Sequence, residues 1–287
     1  MNKINFLKMS KNNCIRWAFD FGSWHPNESQ WLLASSCIQQ EEKERIGKFV
    51  FKRDAKSSMV GRLLIRKFIT SHSDLKYNEI ILKRDDRGKP YVDNESVKGK
   101  LNFSVSHHGR FAVLAGQTDG STIGIDIMAT KYGGGKDLND FFRLMYRHFS
   151  PVEWDVIKNT DSSNDVKMLL FNRFWALKES YVKATGTGIV VDLRLIEFKI
   201  KTKRLKQDAY VSDTELYLNN VKQEDWVFHE ILLDSEHIVA VAVNLKQCES
   251  SPFVFLNFEQ LMNESMPLLN SDLDYCKEFL CKDEEPY

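Results

Sequence analysis

The chain has 287 residues, 43% hydrophobic and 28% charged, enough for one or two cored domains and too apolar for intrinsic disorder. Lysine plus arginine equals aspartate plus glutamate at 40 each, so the basic excess of a dedicated nucleic-acid binder is missing. Five cysteines (14, 37, 248, 276 and 281) with no CxxC pair or metal-finger spacing fit a reduced, cytosolic setting.

No apolar run follows basic residues near Met1, so no signal peptide is expected. The longest apolar run, Ile238 to Val243, is far short of the roughly 20 residues a membrane-spanning helix requires. Ile15 to Phe21 alternates β-formers and predicts a strand. From Gln39 to Ser71 the apolar residues Ile46, Phe49, Val50, Met59, Leu63, Ile65 and Phe68 recur at helical spacing. Arg45, Lys48, Arg62, Arg66 and Lys67 decorate these helices. Glu79 to Lys83 and Pro90 to Val92 predict two strands joined by Arg84-Asp85-Asp86-Arg87-Gly88-Lys89. Leu101 to His107 and Phe111 to Ala115 predict a second pair turned at Gly109, followed by a strand over Ile123 to Met128.

Gly133, Gly134 and Gly135 make Lys131 to Lys136 the best linker candidate. Helical segments follow at Leu138 to His148 and Pro151 to Lys158. A long helix then runs from Asp165 to Ala184 and stops at Thr185-Gly186-Thr187-Gly188. Strands follow near Leu195 to Ile200, Glu215 to Leu218, Val227 to Leu233 and Ile238 to Asn244. Helices followed by strands in each half predict an α+β fold of two similar α/β lobes, 1–130 and 131–250. Residues 251–287, with Phe253, Phe255, Leu256, Phe258 and Leu261 among acidic residues, are expected to dock back as a tail.

Asp126 interrupts the apolar run Ile123 to Met128, and period-two alternation sets it opposite Ile125 and Ile127. It is either the wet face of a sheet or a functional carboxylate. Glu179 and Lys183 stand four apart on the long helix. They are either an exposed ion pair or charges with a purpose, on a helix whose Phe171, Phe174, Trp175, Leu177, Tyr181 and Val182 predict burial. Ser104, Ser106 and His108 alternate onto one strand face and His107 onto the other, which suits phosphate binding better than metal ligation. The Arg84–Lys89 loop is a solvated turn or a phosphate clamp. Two carboxylates on rigid elements beside a lysine suit a divalent cation and a phosphorylated substrate. A different magnesium-dependent phosphoryl-transfer enzyme and a non-catalytic binding module stay open on these residues alone. No P-loop, dinucleotide fingerprint, HExxH or nucleophile elbow is present.

Four segments together resemble the 4'-phosphopantetheinyl transferases of the larger, surfactin-synthetase-activating class. They are Arg84 to Pro90, Ser104 to Gly109, Gly124-Ile125-Asp126, and Trp175 to Ala184 as Trp-x-x-Lys-Glu-Ser-x-x-Lys-Ala. Glu42 to Phe51, Gly61 to Lys67 and Leu256-Asn257-Phe258 extend the likeness toward the family's animal branch. The resemblance implies lobes related by a pseudo-twofold axis, with the active site in the cleft between them. It also implies transfer of the phosphopantetheine arm of coenzyme A to a serine of an apo carrier protein, with Mg2+. Asp126 and Glu179 correspond to the metal ligands, and Asp126, Glu179 and Lys183 to the catalytic set. Coenzyme A contacts fall on Arg45, Arg84, Asp85, Asp86, Arg87, Gly88, Lys89, Ser104, Val105, Ser106 and His107, with Glu179 and Lys183. Met128 stands where many relatives carry a second acid, so water is expected at that coordination position. Fatty-acid synthase carrier domains and an aminoadipate-pathway enzyme are the implied partners. A cytosolic monomer with no nucleic acid or membrane partner is expected.

Overall fold

The computed structural model describes residues 13–130, 137–158, 163–188, 192–244 and 250–285. The glycine-rich linker candidate, Lys131 to Lys136, lies outside the described residues. The first sheet has the order β12-β1-β5-β4. Its strands are β1 (Cys14–Asp20), β4 (Asn102–His108), β5 (Phe111–Gln117) and β12 (Val254–Phe255), with β12 parallel to β1. The second sheet, β10-β11-β6, is antiparallel and comprises β6 (Ile123–Ala129), β10 (Trp226–Leu232) and β11 (His237–Asn244). The strand with Asp126, assigned from sequence to the end of the first lobe, is thus hydrogen-bonded to a strand from near residue 240.

Each sheet carries one long helix. Helix α3 (Lys52–Ser71) covers Ile15, Trp17, Phe19, Ala112 and Leu114 of the first sheet. On the second sheet α6 (Asn164–Thr185) covers Ile238, Ala240 and Ala242. Between the sheets lies a third cluster in which Ala18, Phe111, Val113 and Ala115 meet Ile123, Ile125, Ile127, Val239, Val241 and Val243. β11 therefore reads as a continuous apolar run: its even positions meet a helix and its odd positions the other sheet. α6 ends where Gly186 takes the left-handed conformation, φ 65°.

Shorter elements complete the fold. The predicted helical stretch 39–71 divides into α2 (Gln40–Gly47) and α3. A two-stranded hairpin, β2 (Leu82–Arg84) with β3 (Pro90–Val92), carries the polar loop. Helices α4 (Leu138–Leu144) and α5 (Pro151–Lys158) precede α6. A small sheet of β7 (Ile196–Lys199), β8 (Glu215–Leu218) and β9 (Val221–Lys222) lies beyond it.

One helix, α1 (Glu28–Ser36), escaped the sequence reading, although Asn27 caps it by accepting from the Gln30 amide at 2.9 Å. Residues 251–285 carry two short helices, α7 (Phe258–Met262) and α8 (Leu273–Leu280), whose Leu261, Met262, Cys276 and Phe279 join the core of the first sheet. Phe279 of α8 stacks on Trp31 of α1 at 3.5 Å between ring centroids. α3 has no side-chain N-cap; its first amides, Lys52 and Arg53, donate to the carbonyls of Asp283 and Glu284 at 2.8 and 3.0 Å. Cys276 is buried, Cys281 is exposed, and both are free thiols. Among the described residues no helix is long and apolar enough to cross a membrane.

Candidate active site

Gly124 sets the crossing of β6 and α6. A Cβ built there would lie 2.0 Å from the Ser180 carbonyl oxygen and 2.5 Å from the Ala184 amide nitrogen, so the two backbones are in direct contact. Asp126, two residues along the same face of β6, comes level with Lys183 of α6. Lys183 Nζ donates to Asp126 Oδ1 at 2.6 Å and to Ser106 Oγ at 2.9 Å. Ser106 Oγ donates to the same carboxylate oxygen at 2.8 Å. Asp126 is 5% exposed, which rules out the wet face of a sheet. Its partner is the lysine that an isolated α6 would have paired with Glu179.

β4 reaches the same spot through its alternation. Ser104 Oγ accepts from the Ile125 amide at 3.1 Å and His108 Nδ1 from the Ala129 amide at 2.8 Å. Ser104, Ser106 and His108 thus line the edge of β6 that faces away from β11. His107 turns the other way into a cleft of about 390 Å³ lined also by Arg53, Asp54 and Glu285.

Glu179 sits one helical turn before Lys183, half-buried, in a cavity of about 260 Å³ shared with Ser104, Val105 and the Arg87–Lys89 segment. Burial and then the negative charge of Asp126 push its pKa above the ordinary carboxylate value, with Lys183 and His148 opposing. Glu179 Oε1 and Asp126 Oδ2 are both buried without a hydrogen-bond partner. Two mutually repelling carboxylates with orphaned oxygens fit a divalent cation. Among the described residues no cluster of three or more His, Cys, Asp or Glu forms a cage. Met128, on the Asp126 face, packs against the second-half core and offers no oxygen.

The polar loop bridges to α6. Asp85 shapes the turn, its Oδ1 accepting from the amides of Arg87 and Lys89 at 3.0 and 2.8 Å, while Asp86 is exposed. Lys89 Nζ donates to the Lys183 carbonyl at 2.7 Å and Arg87 donates to the Gly186 carbonyl, so both cations cap the C-terminal end of α6. Gly88, with φ 81°, closes the turn. Arg84 turns instead to Glu42, to which Arg45 also donates.

Known proteins share the sequence that builds these elements. A family profile described as 4'-phosphopantetheinyl transferase, N-terminal, matches residues 22–119, and one for the 4'-phosphopantetheinyl transferase superfamily matches 122–242. An L-aminoadipate-semialdehyde dehydrogenase-phosphopantetheinyl transferase from Xenopus laevis is 40% identical, over 99% of this chain and 98% of that protein. Its human counterpart is 38% identical over 95% and 93%. A 4'-phosphopantetheinyl transferase of Bacillus subtilis is 31% identical over 62% and 70%. The chain belongs to the 4'-phosphopantetheinyl transferase superfamily. Its reaction is transfer of the 4'-phosphopantetheine group from coenzyme A to an apo carrier protein.

Several positions that hold this candidate site together were missed from sequence. Lys178, beside Glu179 in the signature, is fully buried; it pairs with Glu153 of α5 at 2.8 Å and donates to the Leu193 carbonyl at 2.8 Å. It anchors α6 instead of reaching the cavity. Its signal was a lysine within an apolar helix. Arg62 was passed over as helix decoration, Glu42 as the first residue of a matching segment, and Gly124 as one letter of a motif.

Proposed function

We propose that this chain performs phosphopantetheinyl transfer at the β6–α6 seam, between two similar lobes related by a pseudo-twofold axis. One long helix on each of two facing sheets supports that symmetry. The proposed division is 1–130, 131–250 and a tail from 251, with β6 shared across the boundary. The observation that carries the site is Lys183 Nζ at 2.6 Å from Asp126 Oδ1, with orphaned oxygens on Asp126 and Glu179 close by.

Asp126 and Glu179 would hold Mg2+, which when bound supplies positive charge against the diphosphate of coenzyme A. Glu179, its pKa raised by burial and by Asp126, accepts the proton of the carrier serine. The serine oxygen bonds to the pantetheine-side phosphorus. The bond from that phosphorus to the bridging oxygen breaks, releasing adenosine 3',5'-bisphosphate. Lys183 stabilises the departing phosphate. Arg45 and the Arg84–Lys89 loop take the 3'-phosphate end, and Ser104, Val105, Ser106 and His107 line the coenzyme A path. Asp85 acts there through the turn it folds.

Fatty-acid synthase carrier domains and, from the relatives' printed name, an aminoadipate-semialdehyde dehydrogenase are the proposed partners, met by a cytosolic monomer. The test is Asp126→Ala across a magnesium titration. Transfer should fall about a thousandfold, roughly 4 kcal/mol, at every concentration. Near-normal turnover at saturating magnesium would remove Asp126 from the metal site.

A further inference from the structure

Three arginines converge on one carboxylate beside the polar loop. Glu42, on α2, is 7% exposed. Arg45 donates Nε and Nη2 to its Oε2 at 3.0 and 2.8 Å. Arg84 donates Nε and Nη2 to its Oε1 at 3.1 and 2.9 Å. Arg62, from α3, brings Nη1 to 3.5 Å from Oε1. Among the described residues no second carboxylate pairs with any of the three.

This is not how the chain builds a structural ion pair. Arg173 and Glu230 form one elsewhere, balanced one to one, both fully buried, joined by two bonds of 2.6 and 2.9 Å. At Glu42 three cations face one anion, so two positive charges remain uncompensated. The surplus is layered. Arg62 lies behind, its side chain 10% exposed, with Nε and Nη1 lacking a hydrogen-bond partner. Arg45 and Arg84 stand in front at 39% and 35%. Arg45 is braced by Ser58 Oγ at 2.6 Å and Arg84 by the Gly88 carbonyl at 2.9 Å. Among the described residues Arg45 Nη1 makes no hydrogen bond. Two half-exposed guanidiniums would repel each other and wander on their long arms; a shared carboxylate fixes both planes and leaves outward N–H groups for a phosphate.

We propose that Glu42 is a positioning residue for coenzyme A selection: it holds Arg45 and Arg84 as a preformed receptor for the 3'-phosphate, with Arg62 adding positive charge behind them. The proposal rests on the reading of Arg45 and Arg84 as 3'-phosphate contacts. Among the described residues the side-chain partners of Glu42 are these three arginines, and Asp126, Glu179 and Lys183 are not among them. Its removal should therefore move affinity for one cosubstrate group and spare the chemical step.

The experiment compares coenzyme A with 3'-dephospho-coenzyme A as cosubstrates for the full chain and one apo carrier protein. Glu42→Gln leaves an amide where one guanidinium needs an acceptor. It should raise KM for coenzyme A about tenfold, with kcat within threefold, and leave KM for the dephospho form within twofold. Glu42→Asp keeps the charge on a shorter arm and should fall between. If Glu42→Gln does not fold, Glu42→Asp decides alone, since it still neutralises Arg62. Equal shifts with both cosubstrates, or none, would overturn the proposal. Arg45→Ala and Arg84→Ala separate the positioning role of Glu42 from the 3'-phosphate reading beneath it. If they too fail to discriminate, the 3'-phosphate reading falls and this one with it. If they discriminate and the Glu42 variants do not, only the positioning role is lost.

Discussion

Replacing Gly124 with alanine tests whether the catalytic geometry depends on two backbones touching. The added Cβ would sit 2.0 Å from the Ser180 oxygen, 2.5 Å from the Ala184 nitrogen and 2.9 Å from the Ala184 Cβ. Non-bonded heavy atoms prefer about 3.5 Å or more, so α6 must retreat by roughly 1.5 Å or β6 must bend. No side-chain rotation relieves the clash, because the first two contacts are backbone. Overpacking of this kind costs about 1–3 kcal/mol, and the backbone contact places Gly124→Ala at the upper end. At about 2–4 °C per kcal/mol, the Tm should drop by roughly 6–12 °C. The same retreat carries Lys183 away from Asp126, now 2.6 Å apart, and a 1 Å misplacement costs about a hundredfold in rate. Thermal unfolding followed by dichroism, with transfer read by carrier mass below the lowered Tm, measures both effects. A variant with wild-type Tm and wild-type transfer would refute the contact.

Three further outcomes follow from the buried charges and the tail. Lys178→Ala leaves Glu153 buried without its cation and should cost about 3–5 kcal/mol, a Tm loss of roughly 10 °C; a shift under about 3 °C would mean the pair is not structural. Truncation after Lys282 strips the acceptors from the Lys52 and Arg53 amides and the partner Glu284 from Lys56, so hydrogen exchange over the first turn of α3 should quicken; unchanged protection would contradict the capping role. Burial raises the Glu42 pKa, but Arg62, Arg45 and Arg84 outweigh it and the net value lies below the ordinary 4.5. The stabilisation by Glu42 is therefore complete above about pH 4.5 and lost as pH falls through the native value. The stability gap between wild type and Glu42→Gln, from urea titrations between about pH 6 and pH 3, should narrow on acidification; a constant gap would contradict the sign.

Much of this was legible because local pattern and tertiary role agree. Alternation located β1, β4, β5 and β6, and it set Asp126 against Ile125 and Ile127 because a strand between a helix and a sheet must sort its side chains that way. The long helix and its stop at Gly186 follow from periodicity and a glycine cap. What stayed hidden is long-range. Nothing near Lys183 says that its partner lies 57 residues upstream instead of one turn away. Lys178 and Glu153 look like solvated helix charges until α5 and α6 bury them together. Glu42 belongs to a run of charges on α2, and its role depends on Arg62 and Arg84 arriving from two other elements. The tail helices are short, and their apolar residues acquire meaning only against Trp31 and Trp24.

The most direct test of the account is the intact mass of an apo acyl carrier protein after incubation with this chain, coenzyme A and magnesium. The wild-type chain should add the mass of one phosphopantetheine, and a folded Glu179→Ala variant essentially none. A gain that survives Glu179→Ala unchanged, or no gain with any apo carrier from a folded wild-type chain, would contradict it.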